Sequence, residues 1–220
     1  MLKDYLEIMD QASKQLQLRG VDIKAYNSPT VFESLNSKDT AEAMSRAKNY
    51  LEWAQPLDKK LHSNPLGELS HELRNNDLAL DAALTCAFQG FEMDYKAFPK
   101  LVDKGDVIDA YTLDFKQIYC NENFFKNTSY TLDQLSSISI FVLFKRPAKI
   151  EAELKRACIK AITEHKPVVL NMDKYLMSET KSRSGYWLEA KHKCILPIFN
   201  VRNHQPEGVI SVIKVNKFRY

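Results

Sequence analysis

The fold is decided by the stretch QIYCNENFFKNTSYTLDQL, residues 117–135. Four residues of strand character, Gln117-Ile118-Tyr119-Cys120, run into Asn121. A helical turn bearing Phe124 and Phe125 follows. Thr128-Ser129-Tyr130 then leads to a capped helix start with Leu132 and Leu135 one turn apart. Strand, helix and helix in such quick succession place the segment in an α+β unit.

Working outward, the residues from Gly105 onward carry mostly strand periods. Residues 107–113 and 117–120 read as two strands joined by a turn at Asp114-Phe115-Lys116. Residues 149–165 return to a helical period, with Ile150, Leu154, Ala157, Cys158, Ala161 and Ile162 on one face. A strand is expected over 168–177. Residues 186–199 alternate, with Leu188, Ala190, His192, Cys194 and Leu196 on one side and Glu189, Lys191 and Lys193 on the other. A polar turn at Asn203–Glu207 and Gly208 then leads into a strand over 209–215, closing a hairpin.

Toward the N-terminus the pattern is helical. Leu2, Tyr5, Leu6, Met9, Ala12 and Leu16 form a stripe that Arg19-Gly20 should end. A second helix is expected from Asp39, with Glu42 completing a capping box, up to a break at Pro56. Ser63-Asn64-Pro65 predicts a further helix start with a Leu66, Leu69, Leu73 stripe. Leu80, Leu84, Ala87 and Phe88 extend helical patterning toward Gly90.

Composition narrows the class of function. The chain has 220 residues, 45% of them hydrophobic, enough for real cores. The net charge of +3 is spread over interleaved acids and bases. No basic stripe with interspersed aromatics points to direct nucleic-acid binding. No apolar run reaches membrane-spanning length, and the first residues lack the pattern of a secretory signal. Cys86, Cys120, Cys158 and Cys194 form no C-x-x-C pair, so reduced thiols in the cytoplasm are expected and a metal site is not. Lysine outnumbers arginine and asparagine is frequent, the usage of an AT-rich, bacterial coding sequence.

The order strand, strand, short helices, long helix, three strands resembles the PAS domain over residues 106–217. Asn121 matches the Asn after the second PAS strand, Thr128-Ser129-Tyr130 the T-G-Y of the family, and Asp133-Gln134-Leu135 its E-E-L. Gly185-Tyr186-Trp187, Pro197 and Gly208 match the turn, proline and glycine of the last two strands. The chain departs from the family at Asp114-Phe115, which replaces the D-x-x-G turn. It also departs at residues 137–146, which lack the N-C-R-F-L-Q segment of flavin photosensors. The resemblance implies an α+β fold: a helical region over 1–104, then a five-stranded antiparallel sheet with helices on one face.

That fold implies a cytosolic sensory or regulatory module, the sensor half of a transcriptional regulator being one form. It binds a small ligand or a protein partner between the long helix and the inner sheet face. Cys158, Ile162, Leu170, Met172, His192, Cys194 and Ser211 are the pocket candidates; the cofactor is left open. His192 reads either as a ligand-binding, haem-ligating or pH-sensing imidazole or as a hydrogen-bonded core histidine. His165 is expected to meet the carbonyls at the end of its helix. Homodimerisation through the 2–16 stripe or the outer sheet face, or pairing with an output domain, is the partner expectation. The alternative is an interaction module with a filled core. A further alternative is phosphotransfer through His71, since Ser70-His71-Glu72-Leu73-Arg74 resembles a histidine-kinase phosphoacceptor box. No catalytic triad, carboxylate pair or phosphate loop is legible, and no enzyme activity is expected.

Overall fold

A computed structural model describes residues 1–114, 117–182 and 184–218. The expected turn at 114–116 therefore runs outside the described residues. Six helices and a short strand precede the sheet proper: α1 (Leu2–Leu18), α2 (Ser37–Trp53), α3 (Leu57–His62), α4 (His71–Arg74), α5 (Asp77–Phe88), β1 (Phe91–Glu92) and α6 (Phe98–Leu101). Then come β2 (Val107–Thr112), β3 (Gln117–Cys120), α7 (Glu122–Asn127), α8 (Leu132–Ser137), α9 (Ile140–Leu143) and β4 (Phe144–Lys145). The long helix α10 (Ala148–Glu164) leads to β5 (Val168–Val169), β6 (Tyr175–Glu179), β7 (Trp187–Asn200) and β8 (Pro206–Phe218).

The strands pair antiparallel in the order β3-β2-β8-β7-β6-β4, with β1 and β5 also bonded to β7. Four of the five longer strands, β2, β3, β7 and β8, stand where the sequence placed them, and α10 covers one face of the sheet, packing on β7 and β8. The fold is thus α+β and PAS-like in its C-terminal half. The strand expected over 168–177 is broken in two. Lys193 bulges out of β7 between His192 and Cys194, and its carbonyl takes the Leu170 amide at 2.8 Å. The partner strand loops out beside it and resumes at Tyr175, opposite Ala190.

Asn121 is the keystone of the opening stretch. Its Oδ1 accepts from the amides of Ile108 (3.1 Å) and Phe124 (3.3 Å), and its Nδ2 donates to the Asp106 carbonyl (2.8 Å). One side chain so caps α7 and pins the start of β2. Thr131 and Gln134 close a capping box on α8. Tyr130 is structural: its hydroxyl donates to the Leu143 carbonyl and accepts from the Thr180 amide. Gly208 is required where β8 passes β2, because a Cβ there would stand 2.1 Å from the Tyr111 carbonyl oxygen.

The N-terminal helices pack on the sheet. The core is continuous from Tyr5, Met9, Ala12 and Leu16 of α1 to the strands. Contacts run from α2 and α5 to β3 and from α6 to β7, with Trp53 edge-on to Tyr119 at 5.9 Å. Two expectations are corrected here. The α1 stripe is spent inside the protein, so it is not a dimer surface. Much of the outer sheet face is likewise covered, because Cys194, Leu196 and Ile198 are buried.

Local signals also shift. Gly20 ends α1 as expected, at φ +78° with Val21 N bonded to the Leu16 carbonyl. Helix α2 begins earlier than Asp39, because the Asn36 side chain accepts from the amides of Lys38 and Asp39. No helix starts at Pro65: Asn64 bonds the Leu66 amide and the Gly67 carbonyl and holds a turn instead. Buried between α3, α5 and β3 is an ion pair. Lys60 Nζ donates to Asp81 Oδ1 (2.6 Å) and to Thr85 Oγ1 (2.9 Å). Tyr119 donates to Asp81 Oδ2 at 3.1 Å, and Arg19 stands 3.6 Å from the same oxygen. Burial lowers the proton affinity of Lys60, and the Asp81 charge opposes that.

Candidate functional site

The candidate site is the cleft between α10 and the inner face of β2, β8 and β7. Strand β2 reads V-I-D-A-Y-T, and the pleat turns Asp109 and Tyr111 to one face. Asp109 faces Ser211 directly across the β2–β8 ladder. On β7, His192 and Ile195 line the same cleft, because the bulge at Lys193 resets the alternation. Helix α10 contributes Leu154 and Cys158, and Arg146 reaches in from the segment preceding it.

Four polar side chains form a directed chain into this cleft. Tyr50 OH of α2 donates to Gln117 Oε1 (3.3 Å), and Gln117 Nε2 donates to Tyr111 OH (3.4 Å). Tyr111 OH donates to Asp109 Oδ2 at 2.6 Å. The other carboxylate oxygen, Asp109 Oδ1, is buried without a hydrogen-bond partner, as are Ser211 Oγ and Arg146 Nε. Burial pushes the Asp109 carboxyl up to about 7; the Tyr111 bond, the Arg146 charge and the nearby Ser211 hydroxyl hold it from rising further. The Ser211 hydroxyl is near enough to favour the carboxylate, yet neither oxygen reaches hydrogen-bond geometry with the other.

His192 is buried, its ring parallel to that of Tyr175, with Nδ1 2.8 Å from the tyrosine hydroxyl. Burial, then the Arg146 charge, lowers it to about 3, so it is a neutral imidazole at physiological pH. The Cys158 thiol is pushed up to about 11 by burial and stays protonated. The cavity they enclose is about 60 Å³, well below the few hundred Å³ usual for a drug-sized ligand. Wider grooves of about 420 and 530 Å³ open elsewhere on the surface. Among the described residues, only in the cleft do a carboxylate oxygen, a hydroxyl and a guanidinium nitrogen line one cavity, buried and without hydrogen-bond partners.

Of the residues expected from the sequence, the structure brings Cys158, His192 and Ser211 together. Ile162 and Leu170 are half-buried against the core, Met172 is buried, and none of the three lines the cleft. Cys194 points to the opposite face, a consequence of the Lys193 bulge. His165 closes α10 in the left-handed region at φ 55°. Its ring packs edge-on against Phe199 at 5.5 Å, where a contact with the helix carbonyls was expected. His71 is exposed on the four-residue α4, with Nε2 2.9 Å from Asn75 Nδ2. Asp109, Tyr111 and Arg146 were missed. The legible signal was a lone carboxylate inside the apolar run V-I-D-A-Y. Among the described residues, no three His, Cys, Asp or Glu side chains gather as a metal site.

A second junction ties the helical region to the sheet unit. The carboxylate of Asp133 accepts from Tyr5 OH (2.9 Å) and from the amides of Val31 (2.6 Å) and Phe32 (3.2 Å). Tyr5 and Phe32 stack at 3.8 Å beside it.

No protein-family model and no curated protein matches the chain significantly. Among solved structures, it is similar to a sensory box sensor histidine kinase from Vibrio cholerae, at 13% identity and TM-score 0.35, over 54% of this chain and 86% of that one. The PAS domain of a protein from Colwellia psychrerythraea aligns at 16% identity and TM-score 0.36, over 52% of this chain and 86% of that one. An RNA-binding light-oxygen-voltage receptor aligns at 12% identity and TM-score 0.35, over 96% of this chain and 60% of that one. Overlaps this loose leave the PAS-like reading to rest on the chain's own strand order, its five longer strands and the position of α10. No helix among the described residues is long and apolar enough to cross a membrane.

Proposed function

We propose that the chain is a cytoplasmic sensory or regulatory signalling module, without catalytic activity, that binds a small ligand in the cleft between α10 and the sheet. The observation that carries this reading is the pairing of Asp109 with Ser211. Two buried oxygens on register partners both lack hydrogen bonds and line one cavity. Protein interiors rarely leave such groups unmet, since each costs about 1–3 kcal/mol.

The route of the signal follows from the same geometry. A ligand that engages Asp109 changes the load on the Tyr111–Gln117–Tyr50 chain, which ends on α2. Such a ligand acts as a switch only if it binds one packing of α2 on the sheet better than another. The output is a partner, a second copy or a further domain, as in the sensor half of a transcriptional regulator.

Native mass spectrometry of protein purified without denaturant tests the reading. A bound mass that is lost in Asp109→Asn supports it; a bare mass together with no saturable binding of any added small molecule overturns it. One observation favours a second reading, an interaction module with a filled core: the cavity is only about 60 Å³. A bare mass together with stable self-association or partner capture supports that alternative.

A further inference from the structure

The unmet groups in the cleft are of opposite hydrogen-bonding sense. Once Asp109 is ionised, above about pH 7, its Oδ1 is an acceptor, and Ser211 Oγ beside it can accept or donate. Arg146 Nε is a donor, and only a donor. The remaining charges at the cleft, Glu151 and Lys155, are one turn apart on α10 and pair with each other at 2.9 Å. They are half-exposed and already matched. The walls between the unmet groups are apolar: Leu154, Ile195, Val209 and Ile213.

We propose that the cleft takes a compact molecule carrying an N–H donor and a carbonyl or carboxylate oxygen a few bonds apart, the chemistry shared by small primary amides and α-amino acids. The nitrogen donates to Asp109 Oδ1 and Ser211 Oγ, and the oxygen accepts from Arg146 Nε. This rests on the ligand-binding reading above. With Asp109 ionised, a purely anionic ligand leaves its Oδ1 unmet and is repelled, and a simple amine leaves Arg146 Nε unmet and is repelled by the guanidinium. The small cavity favours few heavy atoms, because about 60 Å³ is far below the few hundred Å³ of a site for a drug-sized ligand. Selection against a molecule lacking one partner is strong where the site's own polar groups are buried.

Amide-resolved NMR titration of the full chain, above the titration of Asp109 near 7, tests this with four named probes: acetamide, glycine, acetate and methylammonium. Saturable shifts of the Asp109, Ser211 and Arg146 amides with acetamide or glycine support the proposal. Acetate and methylammonium should then bind about tenfold more weakly or worse. Acetamide alone identifies a neutral amide site, and glycine alone an amino-acid site. Ser211→Ala should weaken the preferred probe severalfold while leaving the spectrum of a folded protein, and Asp109→Asn should weaken it further. Acetate or methylammonium binding as well as acetamide and glycine, or no saturable shift with any probe, overturns the proposal. Mass spectrometry separates the two levels of failure. A co-purifying ligand without an amide or amino group ends this inference and leaves the sensor reading standing. A bare protein with no probe binding ends both.

Discussion

Asp81 and Asp109 are both buried, at 6% and 3% exposure, and both accept from a tyrosine of the sheet. They differ in what faces the rest of the carboxylate. Asp81 meets the Lys60 ammonium at 2.6 Å on one oxygen, and Tyr119 and Arg19 on the other. Asp109 meets Tyr111 on one oxygen and has no hydrogen-bond partner on the other. In the helical half a buried carboxylate is closed off and holds α3, α5 and β3 together. In the sheet half it is left open toward a cavity. Burial alone therefore does not distinguish the two carboxylates; the completeness of their partners does.

The strongest way to break this contrast is at the closed pair. Lys60→Met leaves buried Asp81 with only the more distant Arg19, 3.6 Å away, as counter-charge, and should cost about 3–5 kcal/mol in urea unfolding. The double variant Lys60→Met with Asp81→Leu should recover most of that loss. If the single variant proves nearly neutral, the pair is not what holds the helical half.

A second test uses pH. In the fold, Asp109 keeps its proton up to about 7, against 3.8 for a free aspartate. The folded state then binds more protons than the unfolded one between those values, so this group's contribution to stability falls as pH rises through them. His192 behaves oppositely: it stays neutral down to about 3, whereas a free histidine protonates near 6.5. Its contribution is present above 6.5 and is lost as pH falls toward 3. Each slope amounts to about 4 kcal/mol at full extent, and the two oppose each other across mildly acidic pH. Asp109→Asn should therefore make unfolding free energy drop more steeply toward acid than in the wild type. His192→Gln should make it drop more steeply toward neutral. Parallel curves for wild type and both variants would remove the buried-charge account of the cleft.

A smaller effect concerns the frame beneath Asp109. Asn121→Ala removes the acceptor for the Ile108 and Phe124 amides and the donor to Asp106. A loss of about 1–3 kcal/mol is expected, with hydrogen exchange rising first at the start of β2. Uniform loss of protection would place Asn121 outside the local frame of the site.

The sequence carried the frame of the sheet half well. Asn121, the Thr131 cap, the α10 face and the β7–β8 hairpin are local signals, and each stands where its chemistry predicted. The site was less legible. Alternation along β7 placed His192 and Cys194 on one face, but the Lys193 bulge turned them to opposite faces, and nothing in K-H-K-C announces a bulge. Asp109 was visible as an odd carboxylate among apolar residues, yet its meaning depends on Ser211 and Arg146, which are distant in sequence. The covering of the sheet by α2, α5 and α6 is a tertiary outcome that helical periods do not encode.

The most direct measurement makes one substitution at both carboxylates. Asp81→Asn and Asp109→Asn are compared by urea unfolding above the titration of Asp109 near 7. Asp81→Asn should lose about 3–5 kcal/mol, because Lys60 is left without its counter-charge. Asp109→Asn should gain on the order of 1–2 kcal/mol, because a poorly partnered buried charge is removed while Tyr111 keeps its acceptor. Two losses of similar size would contradict the account, for they would make Asp109 as much a part of the structural scaffold as Asp81.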